Sequence, residues 1–139
     1  MYIKNIEKNK NIINFRANVL VAEDNTINQK LIKHVLESFG LNVYISSDGK
    51  EAVEIFIKRK FDLVFMDIQM PILDGIEATH EILKYEKILK QKHTPIVALT
   101  ANALRGDKGK ILKEGFDEYI TKPLIRSKIL SILQKYLRH

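Results

Sequence analysis

The residues best placed to do chemistry in this 139-residue chain are those that close its strand-like runs. Glu23 and Asp24 follow Val19-Leu20-Val21-Ala22, and Asp67 follows Leu63-Val64-Phe65-Met66. Thr100 follows Pro95-Ile96-Val97-Ala98-Leu99, and Lys122 follows the short run from Glu118 to Thr121. Carboxylates gathered in one crevice repel each other, so a cation has to be present. Lys122 supplies one positive charge and a divalent ion two, which balances Glu23, Asp24 and Asp67. With no cysteine and no clustered histidine, the ligands are oxygens and the ion is a hard one. Mg2+ fits, because it keeps several waters, uses one or two carboxylates and leaves positions open for phosphoryl oxygens. In phosphoryl transfer the protein mainly positions groups and neutralises charge on the equatorial oxygens. Asp67 is then a carboxylate nucleophile that takes a phosphoryl group as an acyl phosphate. Asp24 and Asp67 would hold Mg2+, with Glu23 reaching the ion through its water, and the ion would supply positive charge to a phosphoryl oxygen. Lys122 pairs with a second oxygen, and the rotatable hydroxyl of Thr100 donates to a third.

Taken singly, each residue has a plainer reading. An Asp at a strand end is usually a cap or turn residue, Thr100 would cap a following helix, and Lys122 before a proline would be an exposed loop charge. Met66 and Met70 read as core and loop filler. The histidines His34, His80, His93 and His139 show no ligand spacing and are assigned solvated or packing roles. The convergence of Glu23, Asp24, Asp67 and Lys122 is what favours chemistry.

The elements that must bring these residues together follow from the apolar pattern. The runs ending at Ala22, Met66 and Leu99 are continuous, as expected of strands buried on both faces of a parallel sheet. Leu41, Val43 and Ile45 alternate with polar residues, which suits an edge strand, and Glu118–Thr121 is a short fifth strand. Between them lie helical patterns. Ile27, Leu31, Val35, Leu36 and Phe39 start from a cap at Asn25 or Thr26 and stop at Gly40. Ala52, Val53, Ile55 and Phe56 follow Asp48-Gly49, and a long helix runs from Ile76 to Lys90 after Asp74-Gly75. Leu104 to Phe116 and Ile125 to Tyr136 supply the last two. Five strands alternating with helices imply a doubly wound α/β fold with a parallel sheet, whose ligands bind beyond the carboxyl ends of the strands. Those ends are where the polar residues stand. Residues 1–17, rich in Asn and Lys, read as a linker or N-terminal extension, and 18–139 as one domain.

Composition narrows the classes further. A hydrophobic content of 45% suffices for one full core. Of the net charge of +6, the four basic residues before Ala17, set against Glu7, carry half. The remainder is too modest to argue for a nucleic-acid partner. Absence of cysteine excludes disulfides and thiol chemistry and fits a reducing compartment. The first residues lack a secretory pattern, and no segment approaches membrane-spanning length. A cytoplasmic location without membrane contact by this segment is expected.

Glu23-Asp24-Asn25, Met66-Asp67-Ile68-Gln69-Met70-Pro71 with Asp74-Gly75, Ala98-Leu99-Thr100-Ala101 and Lys122-Pro123 together resemble the receiver domain of two-component response regulators. The match runs from about Asn18 to Tyr136. The stretches Asn25-Thr26-Ile27-Asn28-Gln29 and Leu99-Thr100-Ala101-Asn102-Ala103 are similar to receivers of hybrid sensor histidine kinases. The resemblance implies a flavodoxin-like sheet of strand order 2-1-3-4-5 with five helices. It implies phosphorylation on Asp67, metal ligation by Asp24, Asp67 and the Gln69 carbonyl, phosphoryl contacts from Thr100 and Lys122, and a cis Lys122–Pro123 bond. Tyr119 falls where the family carries a switch aromatic coupled to Thr100, acting on the surface around the fourth and fifth helices. Glu23 replaces an Asp found in many receivers, a longer reach that suits water-mediated metal contact. Gln69 and Asn102 stand where the family sets the lifetime of the acyl phosphate. Partners would be a histidine kinase or a histidine phosphotransfer domain, and a transient homodimer is compatible with the sequence.

The chain is thus expected to catalyse its own phosphorylation and dephosphorylation without turning over a separate substrate. Competing readings are a Mg-dependent phosphatase with an aspartate nucleophile, a flavin module and a degenerate receiver serving as a scaffold. The phosphatase class of haloacid-dehalogenase type needs an acid where Gln69 stands. The flavin module wants a phosphate loop where Glu23-Asp24 would repel it. The intact acid set disfavours the scaffold. With only Leu137, Arg138 and His139 after Tyr136, the chain is read as a stand-alone receiver or the C-terminal piece of a larger kinase.

Overall fold

The computed structural model describes residues 14–101 and 107–137, excluding the side chain of residue 107. Five strands, β1 (Asn18–Ala22), β2 (Asn42–Ser46), β3 (Leu63–Asp67), β4 (Ile96–Thr100) and β5 (Glu118–Thr121), alternate with five helices. The helices are α1 (Thr26–Ser38), α2 (Gly49–Lys58), α3 (Gly75–Leu89), α4 (Asp107–Lys113) and α5 (Arg126–Tyr136). All ladders are parallel and the strand order is β2-β1-β3-β4-β5, as the resemblance implies.

Alternation along the central strands divides the core in two. Val19, Val21, Leu63, Phe65, Val97 and Leu99 point to one face and bury Ile32 and Leu36 of α1 with Ile129, Ile132 and Leu133 of α5. Leu20, Ala22, Val64, Met66, Ile96 and Ala98 point to the other, under Ala52 and Phe56 of α2, Ala78 and Ile82 of α3 and Ile111 of α4. Because β3 is covered on both faces, every residue in it is buried, Asp67 included. Phe15 also joins the core, edge-on to the Phe39 ring at 6.3 Å, and its N–H donates to the Phe39 carbonyl.

Capping explains where the helices begin. The side chains of Asn25, Asp48 and Asp74 accept the N–H groups of Asn28, Glu51 and Glu77 at 3.0, 2.7 and 2.8 Å. Two sequence readings shift. Of the five helically spaced apolar residues, α1 turns Leu36 and the adjoining Phe39 inward beside Ile32 and packs the half-buried Val35 against the same core, but leaves Ile27 and Leu31 68% and 60% exposed. The fourth helix ends at Lys113 rather than at Phe116, and its expected first residues, like Asn102 and the start of the chain, lie outside the described residues. Among the described residues, no helix is long and apolar enough to cross a membrane.

Candidate phosphoryl and metal site

Parallel strands end on the same edge of the sheet, so the residues that close β1, β3, β4 and β5 converge there. Glu23 and Asp24 leave β1, Asp67 is the last residue of β3, Thr100 the last of β4, and Lys122 the first after β5. Backbone hydrogen bonds fix this rim: Glu23 N–H to the Ser46 carbonyl, Ile68 N–H to Leu99, and Lys122 N–H to Thr100 at 2.8 Å. The Lys122–Pro123 peptide is cis.

The Lys122 ammonium stands between two buried acids. Its Nζ donates to Asp67 Oδ2 at 2.7 Å and lies 2.9 Å from Glu23 Oε1. The second contact is close enough for charge pairing but is not aligned as a hydrogen bond, so Oε1 is buried without a hydrogen-bond donor. Burial disfavours the ammonium, yet the hydrogen bond to Asp67 and the contacts with Glu23 outweigh it, raising the Lys122 pKa above the ordinary lysine value. The remaining oxygens are aimed by backbone donors: Asp67 Oδ1 accepts Gln69 N–H and Glu23 Oε2 accepts Asn25 N–H, both at 3.0 Å.

One oxygen from each of Glu23, Asp24 and Asp67 lies within 4.8 Å of the others. Glu23 and Asp67 are buried and Asp24 is exposed, so the cluster opens to solvent on the Asp24 side. An oxygen-only donor set with one buried oxygen short of a donor fits a small hard cation.

The loop after Asp67 is held by close backbone approach. Gly75 N–H donates to the Ile68 carbonyl at 2.8 Å, and a Cβ on Gly75 would lie 2.8 Å from the Asp67 carbonyl carbon and 2.9 Å from Ile68 Cα. Only glycine lets the start of α3 sit this near the acid. Ile72, in the same loop, is 77% exposed with φ 70°, a left-handed conformation that a β-branched residue adopts under strain.

The expected site residues thus fall into two groups. Glu23, Asp24, Asp67 and Lys122 share one cluster, with Thr100 8% exposed at the neighbouring strand end and Gln69 exposed just after Asp67. Tyr119 lies apart, half-buried on edge strand β5 with the Lys108 ammonium 5.8 Å from its ring centroid. Asn102 lies outside the described residues. Sequence reasoning missed Gly75 as the site's backbone spacer and the exposed pair Ile27 and Leu31, which begins three residues after Asp24. For the first, the Asp-Gly dipeptide was a signal, read as a turn. For the second, the surplus of apolar residues on α1 was one.

Comparison with known proteins extends this geometry. The response regulator receiver domain model matches residues 19–134. Hybrid signal transduction histidine kinase I of Dictyostelium discoideum is 50% identical over 111 residues, which covers 76% of this chain and 6% of that kinase. The chain therefore spans a small part of such a relative. Among solved structures it is similar to the receiver domain of a sensor histidine kinase from Pseudomonas aeruginosa, described with magnesium ion coordinated in the active site cleft. There the TM-score is 0.75 and identity 38%, with 87% of this chain and 97% of that one covered. It also matches the co-crystal structure of a Saccharomyces cerevisiae histidine phosphotransfer signalling protein and the receiver domain of its downstream response regulator. That match has TM-score 0.82 and 34% identity, covering 89% of this chain and 90% of that one. A doubly wound sheet whose strand ends meet in an acid cluster, matched over almost its whole length, places the chain in the response regulator receiver domain family of two-component phosphorelays, among receivers of hybrid sensor histidine kinases.

Proposed function

We propose that this chain is a phosphoacceptor switch in which Asp67 takes a phosphoryl group from a phosphohistidine on a partner kinase or histidine phosphotransfer domain. The observation that carries the reading is the Lys122 ammonium between Asp67 and Glu23, 2.7 and 2.9 Å away, beside the exposed Asp24. The acid that would become neutralised as an acyl phosphate already touches the cation that would follow the phosphoryl charge.

In the reaction, an Asp67 carboxylate oxygen forms a bond to phosphorus while the phosphorus–nitrogen bond breaks. The bonding pair returns to the leaving imidazole, which keeps a proton and departs neutral. Gln69 N–H holds the carboxylate in place through Oδ1. Lys122 shifts part of its pairing from Asp67 to a phosphoryl oxygen, and Thr100 donates its hydroxyl to another. Asp24, Asp67 and the Gln69 carbonyl would hold Mg2+, with Glu23 reaching it through water, and the ion supplies positive charge to the phosphoryl oxygens and to the acid cluster. Dephosphorylation is attack by water on the same phosphorus, with Asp67 as leaving group.

Recruitment of Thr100 by the phosphoryl group would be relayed to Tyr119, since Thr100 pairs with Thr121 and Ala98 with Tyr119 in the β4–β5 ladder. This would change the surface formed by α4, β5 and α5. A phosphorylated-state structure with Tyr119 unmoved sinks that part of the reading. Ile27 and Leu31, exposed just beyond the acid pair, and Ile125, 47% exposed just beyond Lys122-Pro123, would offer a donor domain an apolar footing. We assign residues 1–17 to an extension whose Phe15 docks in the receiver core, and 18–139 to the receiver, in the cytoplasm, without direct nucleic-acid or membrane contact. Self-association would be transient.

The test is incubation with acetyl phosphate and Mg2+ followed by intact mass. Gain of one phosphoryl group, lost with chelator and in Asp67→Asn, supports the proposal. Equal labelling of Asp67→Asn overturns the site.

A further inference from the structure

At the opposite pole of the sheet, where β4 and β5 begin, a second cluster of titratable groups lies outside the phosphoryl site. We propose that His93 is a doubly protonated keystone locking α3, the entry to β4 and the entry to β5 together, and that its deprotonation as pH rises opens this lock.

His93 sits in the connection between α3 and β4 with a carboxylate on each ring nitrogen. Nδ1 is 2.8 Å from Glu86 Oε1 and Nε2 is 2.8 Å from Asp117 Oδ2. Ionised carboxylates only accept, so both contacts are hydrogen bonds only when both ring nitrogens carry protons. A neutral tautomer turns a lone pair toward one of the acids. Neither acid is free to turn away. Glu86, 5% exposed at the end of the Ala78-Ile82 stripe of α3, binds Thr94 N–H through Oε2 at 2.7 Å, and Asp117 Oδ2 also accepts Ile96 N–H at 2.8 Å. The acids are clamped to Thr94, just before β4, and to Ile96, its first residue, and the histidine fills the gap between them.

The surrounding charges leave this pairing to His93. The recess beside it is also lined by Arg16, Lys60, Asp62 and Lys92, with Tyr136 from α5. Asp62 is occupied by Asn18 N–H at 2.8 Å, and Tyr136 donates to Glu118 at 2.7 Å and to the Asp117 carbonyl at 3.3 Å. Among the described residues, no lysine or arginine forms an ion pair with Glu86 or Asp117. Partial burial disfavours the imidazolium, but the hydrogen bonds to Glu86 and Asp117 outweigh it and raise the His93 pKa above 6.5. A raised value means that the lock's stabilisation is complete below the unfolded-state pKa and is lost as pH rises through the folded-state one. The element it governs is the entry of β5, the strand that carries Tyr119 and leads to Lys122.

The test is NMR titration of the His93 ring in the full chain, native and in urea, with amide exchange followed at Thr94 and Ile96. The native midpoint should lie above the urea midpoint, with both ring nitrogens protonated below it. After correction for base catalysis, the two amides should exchange several-fold faster above the midpoint. Asp117→Asn should lower the midpoint, and His93→Gln should abolish the pH dependence of exchange at Thr94 and Ile96. If either variant fails to fold, the wild-type titration decides alone. A native midpoint at or below the urea value, or exchange at these amides indifferent to His93 protonation, overturns the proposal.

Discussion

Replacing Lys122 by methionine keeps most of the apolar stem and removes the ammonium. Asp67 and Glu23, whose side chains are 6% and 1% exposed, would then face each other without the cation now 2.7 and 2.9 Å away. Removing one partner of a buried pair costs ~3–5 kcal/mol, because the survivor keeps its desolvation penalty. The Lys122 side chain is itself 21% exposed, so water offsets part of this, and we expect a loss of about 2–3 kcal/mol in chelator. For a domain of this size that lowers the melting temperature by roughly 10 °C. Urea and thermal unfolding of both proteins, with EDTA and then with rising Mg2+, measure it. A divalent ion should stabilise Lys122→Met by more than it stabilises wild type, since the variant's acids have no competing ammonium. At a hundredfold excess over the dissociation constant the gain is about 2.7 kcal/mol. A variant within about 0.5 kcal/mol of wild type in EDTA, the ordinary range for an uninvolved surface change, refutes the reasoning, as does an equal Mg2+ increment in both.

Three other substitutions probe separate parts of the account. Gly75→Ala places a methyl group against the Asp67 and Ile68 backbone and should cost ~1–3 kcal/mol while lowering acetyl phosphate labelling, measured by urea unfolding and intact mass. Asn25→Ala removes the side-chain acceptor 3.0 Å from Asn28 N–H and should cost about 1 kcal/mol by the same unfolding assay. At Glu118, burial opposes ionisation, but the hydrogen bonds from Lys135 and Tyr136 outweigh it and hold the pKa below 4.5. That stabilisation is present above the unfolded-state pKa and lost as pH falls through the folded one, so Glu118→Gln should flatten the acid limb of stability against pH by roughly 0.2–1 kcal/mol.

The order of elements was legible because each kind of strand leaves its own pattern. β1, β3 and β4 are covered on both faces and read as unbroken apolar runs, whereas β2 lies at an edge and alternates. The acid cluster was legible for the same topological reason: parallel strands deliver their last residues to one rim. Side-chain direction around a helix was not. Ile27 and Leu31 keep helical spacing with Val35 as well as Ile32 does with Leu36 and Phe39, and only docking on the sheet decides which of them are buried. His93 was read as a solvated or packing residue because its partners lie seven and 24 positions away, on different elements. A fainter signal existed in Glu86, an acid spaced four residues after Ile82 and eight after Ala78 on the buried side of α3. A carboxylate in an apolar stripe calls for a buried partner.

The central claim is that Asp67 becomes an acyl phosphate. Its most direct measurement is borohydride reduction after incubation with acetyl phosphate and Mg2+, which converts a phosphorylated aspartate to homoserine, followed by peptide mass spectrometry. The account predicts homoserine at position 67 and at no other acid, dependent on Mg2+. Homoserine at Asp24 or elsewhere, or none at position 67 in protein that has gained a phosphoryl group, contradicts it.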